Sequence, residues 1–240
     1  VDGNTIGHTD DGDLLTLASG LVTVAGEIST TTLDIGGTNV TSTAAELNVL
    51  DGALKENNSI WIGNDPSSTT DGASYNVALG TVALDAITTG DKNMAIGYDA
   101  LTANTTGTGN SAIGYNTLNS NISGDYNSSI GSHSLQANTT GSNNVAMGNS
   151  SLRDNTTGLR NSALGKGSGF NIEDGDDNVA IGYLAGDVIT TGNDNVIIGA
   201  DANASAAGAE NQIVIGKDAT GHGNNIAVLG NTDMSAWHPA

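Results

Sequence analysis

The chain has 240 residues, 26 of them acidic and 6 basic, for a formal net charge of −20. That balance argues against nucleic-acid binding by phosphate neutralisation and against attraction to an anionic membrane surface. It has no cysteine, and so no disulfide framework, thiolate zinc site or cysteine nucleophile; with one Phe and two Trp, a large compact core would be poorly filled.

No apolar run reaches the ~20 residues of a membrane span. No signal peptide is visible at Val1, and the sequence reads as if cut from something longer.

The first 52 residues alternate in short stretches. Leu15-Thr16-Leu17, Val22-Thr23-Val24 and Leu33-Asp34-Ile35 have period two, and Gly20, Gly26 and Gly36-Gly37 separate them. This pattern predicts short strands with tight turns, each too short to bury a face without pairing elsewhere. Thr43 to Glu46 fits a capping box, and Ala44, Ala45, Leu47 and Leu50 suit a short helix over 43–51 that stops at Gly52.

The remainder is a repeat. Asn76 to Gly80 reads NVALG, and the pattern returns seven times, as NMAIG, NSAIG, NSSIG, NVAMG, NSALG, NVAIG and NVIIG. SIWIG at Gly63 and QIVIG at Gly216 are outlying copies, and the 153 residues between these glycines are nine steps of 17. A fixed period outranks other sequence signals, because missing it mis-assigns the whole fold. The residue before each strand Gly is aliphatic or Met: Ile62, Leu79, Ile96, Ile113, Ile130, Met147, Leu164, Ile181, Ile198 and Ile215. This invariance predicts a buried column, the structural core of the repeat. The mostly Ala column between it and the first strand position is expected to face the side with little room or little burial.

The glycines Gly63, Gly80, Gly97, Gly114, Gly131, Gly148, Gly165, Gly182, Gly199 and Gly216 are expected to make the repeat turns. Leu84, Leu101, Leu118, Leu135 and Leu152 follow four residues after a strand Gly. A second glycine series, Gly90 to Gly192, also steps by 17, often within Thr-Thr-Gly. Each unit is therefore expected to be one strand–turn–strand–turn coil. Ten coils spaced by ~4.8 Å would make a rod section of roughly 45 to 50 Å. Asn recurs before the strands, from Asn76 to Asn195, and stacked amides there predict a ladder along the rod. The last step, Gly216 to Gly230, is 14 residues.

Two resemblances rest on these residues. TAAELNVLDG at Thr43–Gly52, preceded by LDIGGTNV at Leu33–Val40, resembles a shaft module repeated in tail fibres of marine bacteriophages. The NxAIG strand with its Gly-closed second half resembles the head repeat of trimeric autotransporter adhesins, the YadA-like family. That family implies a left-handed parallel β-roll with three chains around one axis. The present unit is longer and carries Thr-Thr-Gly where the family often has Ala-x-Gly, and such long units also occur in phage fibre arrays. In those fibres a self-cleaving chaperone domain often follows.

The expected architecture is thus all-β: a fibre shaft over 1–56 with its helix, a trimeric left-handed parallel β-roll of 17-residue coils over 57–230, and an exit linker over 231–240. No site motif for catalysis stands out. Gly167-Ser168-Gly169 lacks the strand-to-helix context of a nucleophile elbow, and His8, His133, His222 and His238 are isolated. Glu173-Asp174-Gly175-Asp176-Asp177 is the densest acidic cluster; a solvated turn is weighed there against a weakly bound Ca²⁺ at Asp174, Asp176 and Asp177. Tyr98, Tyr115 and Tyr183 follow strand glycines, where they would fill gaps between coils or stack on sugars. Sequons begin at Asn104, Asn121, Asn138 and Asn155, as composition alone would produce.

The reading is a non-enzymatic, cofactor-free structural fibre on the outside of a virion. It trimerises with itself, joins other virion proteins and meets a host surface receptor, a glycan among the candidates. It binds no nucleic acid and inserts in no membrane. The alternatives are a bacterial trimeric adhesin at the cell surface and, remotely, a monomeric ice-binding solenoid.

Overall fold

The structure is a computed structural model that describes residues 33–35, 38–40, 54–56, 59–62 and 72–234. The chain divides into units Val1–Thr43 and Ala44–Ala240. In the first, β1 (Leu33–Ile35) pairs antiparallel with β2 (Thr38–Val40), Leu33 opposite Val40. The expected strands at residues 15–24, the helix at 43–51 and the turn at Gly63 lie outside the described residues.

The second unit is a parallel β-solenoid of about nine turns, each about 17 residues long. A short strand β3 (Leu54–Glu56) runs antiparallel to β4 (Ser59–Ile62). From β4 onward every pairing is parallel. The order is β5 (Val77–Leu79), β6 (Met94–Ile96), β7 (Ser111–Ile113), β8 (Ser128–Ile130), β9 (Val145–Met147), β10 (Ser162–Leu164), β11 (Val179–Ile181), β12 (Val196–Ile198), β13 (Ile213–Ile215) and β14 (Ala227–Leu229). The register never slips: Ala78 faces Ala95, Ala95 faces Ala112, and so on up the sheet. The final 14-residue step still lands in register, Ile213 opposite Ala227.

Each coil has one strand. The expected second strand is corrected: residues 81–86 and their equivalents through 183–188 form continuous turn, and in the later coils that half holds one isolated parallel bridge, Asn203 with Thr220, among the described residues. The cause is backbone handedness. From Gly80 to Gly182 the second and fourth residues after the strand Gly are left-handed even where they are not glycine, as at Asn116 (φ 52°) and Leu118 (φ 51°). A left-handed residue costs roughly 1–2 kcal/mol and curls the chain instead of extending it. The curl is held by bonds to the next coil, such as Leu118 N–H to Ser134 C=O at 3.1 Å and Ser120 N–H to Gln136 C=O at 3.3 Å.

The ladder of asparagines is present, and every rung is buried. Each backbone N–H donates to the side-chain Oδ1 one coil back: Asn93 to Asn76 at 2.8 Å, Asn127 to Asn110 at 2.9 Å, Asn161 to Asn144 at 2.9 Å. Each Nδ2 donates within its own coil to the carbonyl of the second glycine, as Asn127 to Gly141 at 2.8 Å, with Ala209 in that place for Asn195. The series starts on the Ser59 hydroxyl, which accepts from Asn76, and ends at Gln212, which donates to Asn195.

The core is thin. On each strand the middle residue points inward: Trp61, Ala78, Ala95, Ala112, Ser129, Ala146, Ala163, Ala180, Ile197 and Val214, all at most 2% exposed. Against them pack the buried leucines Leu84, Leu101, Leu118, Leu135 and Leu152. Where Gly169 and Gly186 replace that Leu, Ile172 and Ile189 occupy the interior three residues on, where the central coils hold asparagine. Large-for-small exchange keeps each layer filled, as dense interiors require.

Two outcomes are expected. Asn127→Ala leaves the Asn144 N–H without its acceptor and the Gly141 carbonyl with the Asn138 amide alone, so urea unfolding should show a loss of about 1–3 kcal/mol, while the exposed Thr106→Ala stays within about 0.5 kcal/mol. Gly148→Ala should be worse. Its φ is +136°, and a Cβ there would lie 2.5 Å from the Gly165 carbonyl oxygen. Circular dichroism of that variant should show loss of the folded coil at temperatures the unaltered chain withstands.

Candidate functional site: the outward face of the sheet

Because strand side chains alternate, burying the alanines turns the first and third residues of every strand outward. The expected buried column is therefore corrected. Within the single chain Ile62, Leu79, Ile113, Ile130, Met147, Leu164, Ile181 and Ile215 are 36–51% exposed, and Ile96 and Ile198 are half-buried. The Ala column, expected to face little room or little burial, is the one inside, and the first alternative holds. The reason is steric. Where a leucine of the turn half fills the space opposite, the inward strand position is Ala or Ser, and a larger residue such as Ile197 enters where Gly186 takes the leucine's place. A branched aliphatic at the third strand position has room only outside.

The outcome is an uninterrupted aliphatic stripe along the parallel sheet. Ile60, Val77, Met94, Val145 and Ile213 widen it at the first strand position, with Ser111, Ser128 and Ser162 between them. Scattered exposed apolar residues need no explanation, but a contiguous stripe marks an interaction surface.

Two columns border the stripe. Before the ladder asparagines stand Tyr75, Lys92, Gly109, Tyr126, Asn143, Arg160 and Asp177, the non-glycine members left-handed. After the strand glycines stand Thr81, Tyr98, Tyr115, Ser132, Asn149, Lys166 and Tyr183. Tyr98 and Tyr115 are stacked, centroids 5.6 Å apart and planes 13° apart, and His133 meets Tyr115 edge-on at 5.3 Å. The tyrosines thus pack coil against coil, and each stays about half exposed.

The acidic residues are occupied locally. Asp174 accepts from the Thr156 and Thr157 hydroxyls at 3.0 and 2.9 Å. Asp176 accepts from the Leu159 N–H at 2.7 Å. Asp177 takes both arms of Arg160 at 2.7 Å each, and Arg160 also reaches Asp176 at 3.5 Å. Among the described residues no group of three His, Asp or Glu side chains is placed to hold one metal ion. Hydrogen bonding to Asp177 raises the Arg160 pKa, and the same bond holds the Asp177 carboxyl below its ordinary value.

Three further arrangements escaped the sequence reading. Asp91, Asp125 and Asp176 belong to a second ladder that runs the other way: each carboxylate accepts the backbone N–H one coil earlier, as Ser74 to Asp91 at 2.7 Å and Thr108 to Asp125 at 2.7 Å. Ser142 and Asn193 continue it with neutral oxygens. Acceptor-bearing side chains at a fixed step, two residues before every ladder Asn except Asn161, where Leu159 interrupts the series, were the available signal. Three of the sequon asparagines form another ladder inside the coil, Asn121 to Asn104 at 2.8 Å and Asn138 to Asn121 at 2.7 Å, while the Asn155 amide is buried beyond its end without a partner among the described residues. They are fully buried, so a folded coil offers none of them for glycosylation. In the Thr-Thr-Gly turns the first hydroxyl is used internally, as Thr88 to the Thr105 carbonyl at 2.9 Å. The Ser168 hydroxyl is buried and donates to the Gly165 carbonyl at 2.9 Å, which is a structural role.

Comparison with family models, with curated protein sequences and with solved structures returns no match in any of the three. Among the described residues no helix is long and apolar enough to cross a membrane.

The Asp177–Arg160 pair gives a pH prediction. A carboxyl held low in the folded state stabilises above its ordinary pKa, and that stability is lost as pH falls through and below that value. Thermal midpoints of Asp177→Asn should therefore drop less between pH 6 and pH 2 than those of the unaltered chain. Both side chains are exposed, so the difference should be small.

Proposed function

We propose that the chain is a structural fibre protein that works as a homotrimeric rod, with three left-handed β-rolls turning their sheet faces toward a common axis. One observation carries this reading: the sheet exposes an aliphatic column over its whole length, from Ile62 to Leu229. Covering such side chains, each about 40% exposed, is worth roughly 1 kcal/mol apiece. Eleven per chain, before the first strand column is counted, compete with an association cost of about 4–15 kcal/mol.

The mechanism of such a rod is mechanical. Backbone ladders run along the axis, apolar columns join the chains sideways, and a pulling force is shared among three covalent strands. The net charge of −20 keeps the exterior soluble. The resemblance of residues 33–52 to marine phage tail-fibre shafts, directly before the array, favours a virion fibre that joins other virion proteins and holds or presents a host-recognition surface. The same geometry serves a bacterial trimeric adhesin, and neighbouring genes separate the two: tail genes for the fibre, a membrane anchor for the adhesin.

Analytical ultracentrifugation should give three times the 23.9 kDa of the single chain. Ile113→Glu with Ile130→Glu should yield monomers that keep the far-ultraviolet spectrum of the coil, because both side chains lie outside the chain's own core. A monomer for the unaltered protein would overturn the proposal.

A further inference from the structure

We propose that the two columns bordering the aliphatic stripe meet across the chain boundary, in register, so that Tyr126 of one chain lies against Ser132 of the next. The inference rests on the trimeric rod above and specifies how its seams are closed.

A ring of identical parallel chains uses a heterologous interface, in which one patch meets a different patch on the neighbour. With the sheet faces turned to the axis, the two free borders of each face point to the left and right neighbours. The column before the ladder asparagines must then meet the column after the strand glycines of the next chain. Chains at equal height pair residues of the same coil.

The residues on these borders suit that pairing. Tyr126 is 62% exposed, and its ring lies across Gly109 one coil earlier, where a Cβ would come within 2.7 Å of Cδ1. The ring therefore spans two rows. In those rows the opposite border carries Ser132, which is small, and Tyr115, which is half exposed and can meet the ring edge. One row lower Lys92 comes opposite Tyr98, a cation beside an aromatic face. Higher up, Asn143 comes opposite Asn149, and Asp177 opposite the Tyr183 hydroxyl. An antiparallel two-fold dimer would instead set each border against itself, with Tyr126 facing Tyr126 at one height only, and a parallel two-fold dimer would link two chains where the ring links three.

The absence of cysteine makes a clean test possible. Residues 126 and 132 flank β8 of one chain, separated by about 15–20 Å of extended backbone, well beyond the ~7 Å that a disulfide spans. Mild oxidation of Tyr126→Cys/Ser132→Cys should therefore link chains only to one another. A closed ring gives a covalent species of three chains on a non-reducing gel. The single-cysteine variants should stay unlinked, as should the staggered pair Tyr126→Cys/Asn149→Cys. Asn143→Cys/Asn149→Cys tests the next row if loss of the tyrosine disturbs the coil. Protein that sediments as a trimer yet links in neither in-register pair would overturn the seam and leave the trimer standing. Linked dimers from Tyr126→Cys alone would overturn it in favour of a two-fold contact. Sedimentation as a monomer would overturn both readings.

Discussion

Everything in the array depends on one hydrogen bond repeated at a step of 17: the backbone N–H of a ladder residue bonded to the side-chain oxygen of the ladder asparagine one coil back. The bond fixes coil height and register together. An asparagine also ties its own coil shut through the second glycine, so one buried amide serves both stacking and closure. Removing water from such groups makes a satisfied network rigid and a broken one costly. The eight ladder asparagines tolerate no chemistry except an amide of that length; only at the ends, at Ser59 and Gln212, does another side chain take the role.

That constraint explains what the backbone then accepts. Coils locked at one height leave little freedom in the turn half, and the chain there adopts two left-handed residues at positions held by valine, aspartate, histidine and leucine. Strain of this kind persists only where surroundings over-determine it. The surroundings here are the coil-to-coil bonds, reinforced by the Thr-Thr-Gly turns that direct three N–H groups onto one carbonyl, as Thr156, Thr157 and Gly158 do onto Glu173. The carboxylate ladder through Asp91, Asp125 and Asp176 secures the corner before each strand. An acidic composition is thereby put to structural use as well as solubility.

Much of this was legible in the residues. The period, the single strand at each NxAIG, the strand glycines and the asparagine ladder follow from spacing and side-chain chemistry. The inside and outside of the strand did not. Invariant isoleucine reads as core when one chain is considered alone, but the interior is decided by volume, and only the alanine column fits beside the leucines. The sequence also conceals left-handed leucines, because no propensity points to them; only the bonds from the next coil make the conformation worthwhile. The sequon asparagines read as chance, but Asn104 to Asn155 are a buried column inside the coil, bounded by Ile87 and Ile172.

The inversion of the strand faces is what links fold to function. A coil filled by alanine cannot hide its isoleucines, so they form an exposed face, and the proposed trimer rests on that face. The central claim is that other copies of the chain cover it. A cryo-electron microscopy cross-section of the rod tests it most directly. The account predicts three rolls about one axis, with coils spaced by ~4.8 Å and Ile113, Ile130 and Ile181 in the central density. A lone roll, or rolls whose sheet face lies on the outer surface, would contradict it.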